Sequence, residues 1–416
     1  MAACSVAASV VVSCSTEVAI STETPDSGHE ASASDAGSTP GEEDAAPPPH
    51  DAGRSFDGGP LPVVCASAPC AQALVTFSTS GFFEGFCALL QDRTVACWGE
   101  NASGWLGRGA DAATYSPTAA RVVGVSNVIQ LEHTCALDDS GEVWCWGRGP
   151  HLVNDAGTLT SDLTPVRLSL PPATLIGIGT SVGCALSDGH LLCWGANSEG
   201  QIAPLDSAPS GSLGVREVEL PSGAPIRQIV IGAATFLVRE DGSVLSWGAN
   251  PPLARVSSLN PDSFPKPIEL EGVSSLDVVQ SNTCATAAGT GYCWGQSLSS
   301  APLDRALPEP VVTPEPIVRI ATSGPLRWCA VGASGDVYCW GTNASGQAGD
   351  GTKEHANEPV RVKLPGPAAD VKTTPEATCA LLTSGKVYCW GSNFYGQLGN
   401  GKPKVPSVVP EEVVLP

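Results

Sequence analysis

The dipeptide Trp-Gly recurs at Trp98, Trp146, Trp194, Trp247, Trp294, Trp340 and Trp390, at intervals of 48, 48, 53, 47, 46 and 50 residues. Phased self-similarity of this kind constrains a fold more than any other feature, because each unit is then one supersecondary block stacked on its neighbours. Upstream of each Trp-Gly lies a second signature: Cys87-Ala88-Leu89, Cys135-Ala136-Leu137, Cys184-Ala185-Leu186, Phe236-Leu237-Val238, Cys284-Ala285-Thr286, Cys329-Ala330-Val331 and Cys379-Ala380-Leu381. Each pair of signatures reads as a β-hairpin. Setting Cys135 opposite Cys145 leaves Asp139-Ser140-Gly141 as the loop, and Glu240-Asp241-Gly242, Ala333-Ser334-Gly335 and Thr383-Ser384-Gly385 fall out identically. Where the spacing shrinks by one, the loop becomes Asp188-Gly189 or Ala288-Gly289, two-residue hairpin turns. A unit of roughly 48 residues holds four strands of about 5–6 residues with their turns, the content of one propeller blade. The expectation is an all-β, seven-bladed β-propeller of four-stranded blades over residues 72–416. Gly 46, Pro 36 and only 15% charged residues agree with many short strands and few helices.

After the last Trp-Gly the chain reads Gly391-Ser392-Asn393-Phe394-Tyr395-Gly396-Gln397-Leu398-Gly399-Asn400-Gly401. Variants follow Trp340 (Asn343, Gly346-Gln347-Ala348-Gly349), Trp98 (Asn101, Gly104-Trp105-Leu106-Gly107) and Trp194 (Asn197, Gly200-Gln201-Ile202). This pattern resembles the signature of the regulator of chromosome condensation repeat family. The resemblance implies a closed ring of seven blades; it leaves the partner open, since such propellers serve as exchange factors for small GTPases, chromatin binders and secreted bacterial inhibitors.

Twelve of the sixteen cysteines form six pairs across the hairpins: Cys87/Cys97, Cys135/Cys145, Cys184/Cys193, Cys284/Cys293, Cys329/Cys339 and Cys379/Cys389. Residues facing each other at a non-hydrogen-bonded site of an antiparallel pair lie within disulfide range. The fourth unit has Phe236 and Ser246 in these slots, so both cysteines are lost together, as a covalent pair predicts. Zinc lacks its paired C-x₂₋₄-C and histidine ligands, and no cofactor or metal is expected. Cys65 and Cys70 either close a small disulfide loop or remain two thiols, the former outside the cytosol.

Residues 1–14 are small and apolar and read as the end of a signal peptide. Val11-Val12-Ser13-Cys14 resembles a bacterial lipoprotein cleavage box, which would make Cys14 the lipidated residue. Residues 15–71 read as a disordered acidic tether, rich in Ser, Ala, Pro and Gly; ten acids face one base between residues 15 and 60. The net charge of -21 disfavours nucleic acid, and membrane contact is expected only through a lipid anchor. The chain is therefore expected to be extracytoplasmic, in the cell envelope or secreted, and monomeric.

No catalytic constellation stands out. Gly179-Thr180-Ser181-Val182-Gly183 matches the serine-hydrolase pattern but sits at a repeat position with no following helix. The six histidines, His133 among them, lack metal or triad spacing. The acids fall in turns and loops, where solvation explains them. Trp105, Trp144 and Trp328 break the repeat and are candidate binding residues. The longest departures from the repeat, residues 149–163, 202–214, 250–264 and 296–308, all follow the Trp-Gly strand and mark one face as the ligand face. The function expected is a binding propeller for a protein, peptide or polysaccharide. The alternative is a lyase or glycosidase using loop carboxylates; a nucleotide exchange factor is disfavoured by acidity and disulfides.

Overall fold

A computed structural model describes residues 56, 58–78, 84–110, 113–148, 161–208, 210–295, 305–324 and 326–416. They form seven four-stranded antiparallel sheets, and no helix occurs among them. Each sheet is one blade built from a continuous stretch of chain, with its strands, here a to d, in sequence order. The a strands are Ala71–Ser78, Val128–Glu132, Leu175–Ile178, Ile226–Ile231, Val273–Val279, Ile317–Thr322 and Ala368–Thr373 for blades 1 to 7. Each a strand packs beside those of the two neighbouring blades, and blade 7 meets blade 1, so the ring is closed.

The hairpin register predicted from the cysteines is the observed one in all six cysteine-bearing blades. Cys87 lies opposite Cys97, Cys135 opposite Cys145 and Cys184 opposite Cys193. Cys284 lies opposite Cys293, Cys329 opposite Cys339 and Cys379 opposite Cys389. Every one of these pairs is a disulfide with Cα atoms 4.1 Å apart: Cys87–Cys97, Cys135–Cys145, Cys184–Cys193, Cys284–Cys293, Cys329–Cys339 and Cys379–Cys389. Of the two states open to Cys65 and Cys70, the structure has the bridge, with Cα atoms 5.8 Å apart. In blade 4, Phe236 lies opposite Ser246, and the Phe236 ring meets the edge of Trp294 in blade 5 at 5.9 Å. Blade 1, whose turn lacks glycine, places Arg93 itself at φ 58.

The Trp-Gly motif has a geometric cause. In all seven blades the pairing of strands c and d slips between the residue before the tryptophan and the glycine after it. This is a bulge, which turns the tryptophan out of the ladder and needs a positive φ at the next residue. Gly341 sits at φ 98, and a Cβ there would lie 2.0 Å from the Leu326 carbonyl oxygen. The freed indoles reach backwards to the preceding blade: Nε1–H donates to the carbonyl of Gln397 from Trp98 (3.0 Å), of Trp105 from Trp146 (2.9 Å), and of Gln201 from Trp247 (2.8 Å). Trp294 and Trp390 make the same bond to Pro252 and Gln347, both at 2.8 Å. In these five blades the tryptophan is thereby clipped onto the loop after Trp-Gly of the preceding blade.

Upstream of blade 1, residues 56–70 form a strap. The Phe56 ring covers Gly289 in the b–c turn of blade 5, and Leu61 covers Gly335 in that of blade 6. The Val64 N–H donates to Thr383 in the turn of blade 7, and the Gln91 N–H in blade 1 donates to the Cys70 carbonyl. The packed unit thus begins upstream of residue 72, while the cleavage-box cysteine, Cys14, lies outside the described residues.

Candidate functional site

The site is built from the alternation of the a strands. Their middle residues, Leu74, Leu131, Ile176, Ile229, Leu276, Ile320 and Val371, are at most 4% exposed and fill the spaces between blades. Side chains one step before and one step after must point the other way, toward the ring axis. The earlier positions form one layer: Ala73, Gln130, Leu175, Gln228, Ser275, Arg319 and Asp370. The later positions form a second: Val75, Glu132, Gly177, Val230, Asp277, Ala321 and Lys372. Between them lies a cavity of about 730 Å³, lined also by His133, Arg148, Thr180, Gln280 and, from the blade 1 glycine loop, Ser103 and Trp105.

Because strands alternate in direction, the a–b turns and the loops after Trp-Gly emerge on one side of the disk and the b–c turns on the other. The second layer is nearer the first side, here the mouth face. Thr180 and Gln280, in the a–b turns of blades 3 and 5, form part of its rim.

The acids that converge come from inner strands rather than loops, which corrects the expectation that acids fall only in turns and loops. Lys372 Nζ lies 3.8 Å from Asp370 Oδ2. Asp277 Oδ2 accepts the Thr322 N–H at 2.9 Å, and Glu132 Oε1 accepts a Gln130 amide hydrogen at 3.3 Å. Burial pushes the Glu132 carboxyl up to about 7; Lys372 and the Gln130 bond pull it down, and Asp277 and Asp370 push it further up. Asp277 is raised for the same leading reason, burial. Lys372 is raised chiefly by Asp370, with Asp277 and Glu132 helping against burial. Arg319, in the first layer, is a second cation near this group and opposes the rise at Lys372. Among the described residues no group of three metal-ligating side chains is placed to hold a metal ion.

The tryptophans singled out by sequence are dispersed. Trp105 is 2% exposed, lines the cavity, tilts against Phe77 at 5.6 Å and donates its Nε1–H to the Arg148 carbonyl at 3.1 Å. Trp144, on strand c of blade 2, is half-buried and donates to Asp138 Oδ2 at 2.9 Å. Trp328 stacks on Trp340 at 6.1 Å, as Phe86 does on Trp98 at 6.0 Å. His133 takes φ 50 and bonds Thr134 Oγ1 at 3.1 Å through Nδ1.

Of the four long loops, residues 149–160 and 296–304 lie outside the described residues. The loop at 250–264 is pinned from within: Arg255 (8% exposed) pairs at 2.7 Å with fully buried Asp262, and Leu253 is fully buried. Val256, at 82% exposed, stands on its outer side.

A closed ring of seven repeated blades with a mixed ionic and apolar channel defines the class: a β-propeller of interlocking repeats. Models of the regulator of chromosome condensation (RCC1) repeat match residues 131–151 and 374–397, and a second model of that family matches 334–381. These repeat matches, together with the seven-bladed ring, support the regulator of chromosome condensation repeat family. It is 26% identical to the human E3 ubiquitin-protein ligase HERC2 over 70% of this chain, a stretch that is only 6% of that relative's length. It is 27% identical to the ultraviolet-B receptor UVR8 of Arabidopsis thaliana, over 67% of this chain and 68% of the receptor. Among solved structures, human WBSCR16 superposes with a TM-score of 0.61 at 18% identity, over 78% of this chain and 95% of the other. Prp20p of Saccharomyces cerevisiae gives 0.61 at 20% identity, over 78% and 87%. These two likenesses establish the fold.

Proposed function

We propose that this chain is an extracytoplasmic interaction propeller that takes a protein, peptide or polysaccharide on its mouth face. The observation that carries the reading is the coincidence of three features on one side of the disk: the channel opening, the a–b turns, and the loops after Trp-Gly, where repeats tolerate variation. The seven bridges support an oxidising compartment, where such bridges persist. Relatives support a protein partner: Prp20p has binding properties toward Gsp1p and histones. Lipid attachment at Cys14 is part of the same proposal and is tested by Cys14→Ser, which abolishes detergent partitioning if the anchor exists.

The face assignment is tested by site-directed masking. A polymer attached at Thr180→Cys, on the mouth rim, abolishes capture of partners from the producing cell's envelope and secreted fractions. The same polymer at Asp241→Cys, in a b–c turn, leaves capture intact. The reverse pattern places the partner on the turn face and rejects the reading.

A second reading draws on the channel carboxylates. A glutamic acid whose carboxyl burial raises to about 7, beside two aspartates, has the makings of a general acid, as in glycoside hydrolysis or polysaccharide elimination. Cleavage of envelope or secreted polysaccharides that is lost in Glu132→Gln favours it; no cleavage by the intact protein removes it.

A further inference from the structure

The channel lining is mixed around the ring: blades 1 and 4 present Val75 and Val230, while blade 2 presents Glu132, blade 5 Asp277 and blade 7 the Asp370–Lys372 pair. Lys372 is engaged by Asp370 at 3.8 Å, and neither Glu132 nor Asp277 has a cation within ion-pair distance among the described residues. Two carboxylates of half-buried residues thus line a space of about 730 Å³ together with aliphatic side chains; of the basic residues lining it, Lys372 is held by Asp370 and Arg148 is exposed.

We propose that the mouth half of the channel seats one basic side chain, a lysine or an arginine, carried by an extended segment of a protein partner. Glu132 and Asp277 are its counter-charges, and Val75 and Val230 lie along its aliphatic stem. The proposal rests on the interaction reading above and narrows it to a partner chemistry. A long cationic side chain suits such a site because it buries its methylenes while its head keeps a charged partner. The cavity is wide enough for a side chain with a turn of backbone at the rim, where Arg148 is exposed. The raised carboxyls agree: burial disfavours their ionised form, and an arriving cation reverses that penalty.

The sign of the pH dependence follows. Glu132 is faced by Gln130 from its own strand, by Asp370 and Lys372 from blade 7, by Asp277 from blade 5, and has His133 beside it in sequence. Its carboxyl must ionise to hold a cation, so affinity rises as pH passes upward through about 7.

The test uses the full chain and three acetylated, amidated tripeptides, Gly-Lys-Gly, Gly-norleucine-Gly and Gly-Glu-Gly, with binding read by ligand-observed NMR at pH 6 and pH 8. The lysine peptide is expected to bind at least tenfold more tightly than the norleucine peptide, and more tightly at pH 8 than at pH 6. Glu132→Gln with Asp277→Asn removes that preference, and Glu132→Gln alone flattens the pH dependence. Lys372→Met, which deletes the competing internal cation, tightens lysine binding, so the proposal does not depend on variants that only weaken. Equal binding of lysine and norleucine, preference for the glutamate peptide, or indifference to both sets of substitutions overturns it. If the peptides fail while polymer at Thr180→Cys still blocks partner capture, the mouth face stands as the interface and only the basic-residue seat falls.

Discussion

At the residue scale, Arg255 and Asp262 show what the fourth unit has in place of its glycine loop. Burial pushes the Asp262 carboxyl up, but hydrogen bonds from Arg255, Ser257 and the Phe264 N–H outweigh it and hold the carboxyl at about 2. A carboxyl lowered on folding adds stability that is present above its unfolded value, 3.8, and is lost as pH falls toward 2. Arg255→Met leaves the Asp262 carboxylate with Lys266 at 3.3 Å and Ser257 at 2.8 Å, and is expected to cost about 1–3 kcal/mol in denaturant unfolding. Arg255→Met with Asp262→Leu recovers most of that loss. Glu100 is the opposite case. It is 1% exposed, Oε1 accepts the Ala102 N–H at 2.5 Å, and Oε2 has no hydrogen-bond partner among the described residues. Burial lifts its carboxyl to about 7. A carboxyl raised on folding stabilises below its unfolded value and loses that contribution as pH climbs to its folded one. Glu84, fully buried where blades 7 and 1 meet, and Glu132 behave alike, so the melting temperature is expected to fall between pH 5 and pH 8. Glu100→Gln reduces that slope; an unchanged slope in a melting series rejects the assignment.

At the element scale, the blade hairpins were legible in the sequence because one register had to satisfy cysteine pairing, turn glycines and Trp-Gly together. A slip of one residue would have broken all three. The ionic channel was not legible in the same way. Glu132, Asp277, Asp370 and Lys372 are scattered along the chain, and only the strand alternation shows that they share two layers around one axis. A signal did exist: each stands on the strand before its Cys-Ala signature, one step from a buried apolar residue such as Leu131, Leu276 or Val371. The signature glutamine also acquires a reason. Gln201 Nε2 donates to Thr235 Oγ1 at 2.9 Å and Gln397 Nε2 to Glu84 Oε1 at 3.4 Å, each crossing to the next blade. Gln201→Ala is therefore expected to weaken the seam of blades 3 and 4 by about 1 kcal/mol, seen as faster amide exchange there than in blades 6 and 7.

At the scale of the whole molecule, every bridge among the described residues joins cysteines 5, 9 or 10 positions apart, and none of these joins two blades. The chain-entropy estimate for loops this short is about 2–3 kcal/mol each. Full reduction is expected to lower the melting temperature while leaving one cooperative transition, because the interblade contacts are indoles, glutamines and packed aliphatics. Separate transitions for individual blades would contradict this. What holds the first blade to the last is different in kind, since blades 7 and 1 are distant in sequence and the strap of residues 56–70 lies across both of their b–c turns. That strap also sets a compass bearing. Phe56 enters beside blade 5 on the turn side, so a support joined to the chain at that residue grips the disk from behind. A surface coupled through Phe56→Cys is therefore expected to leave the open channel free for capture.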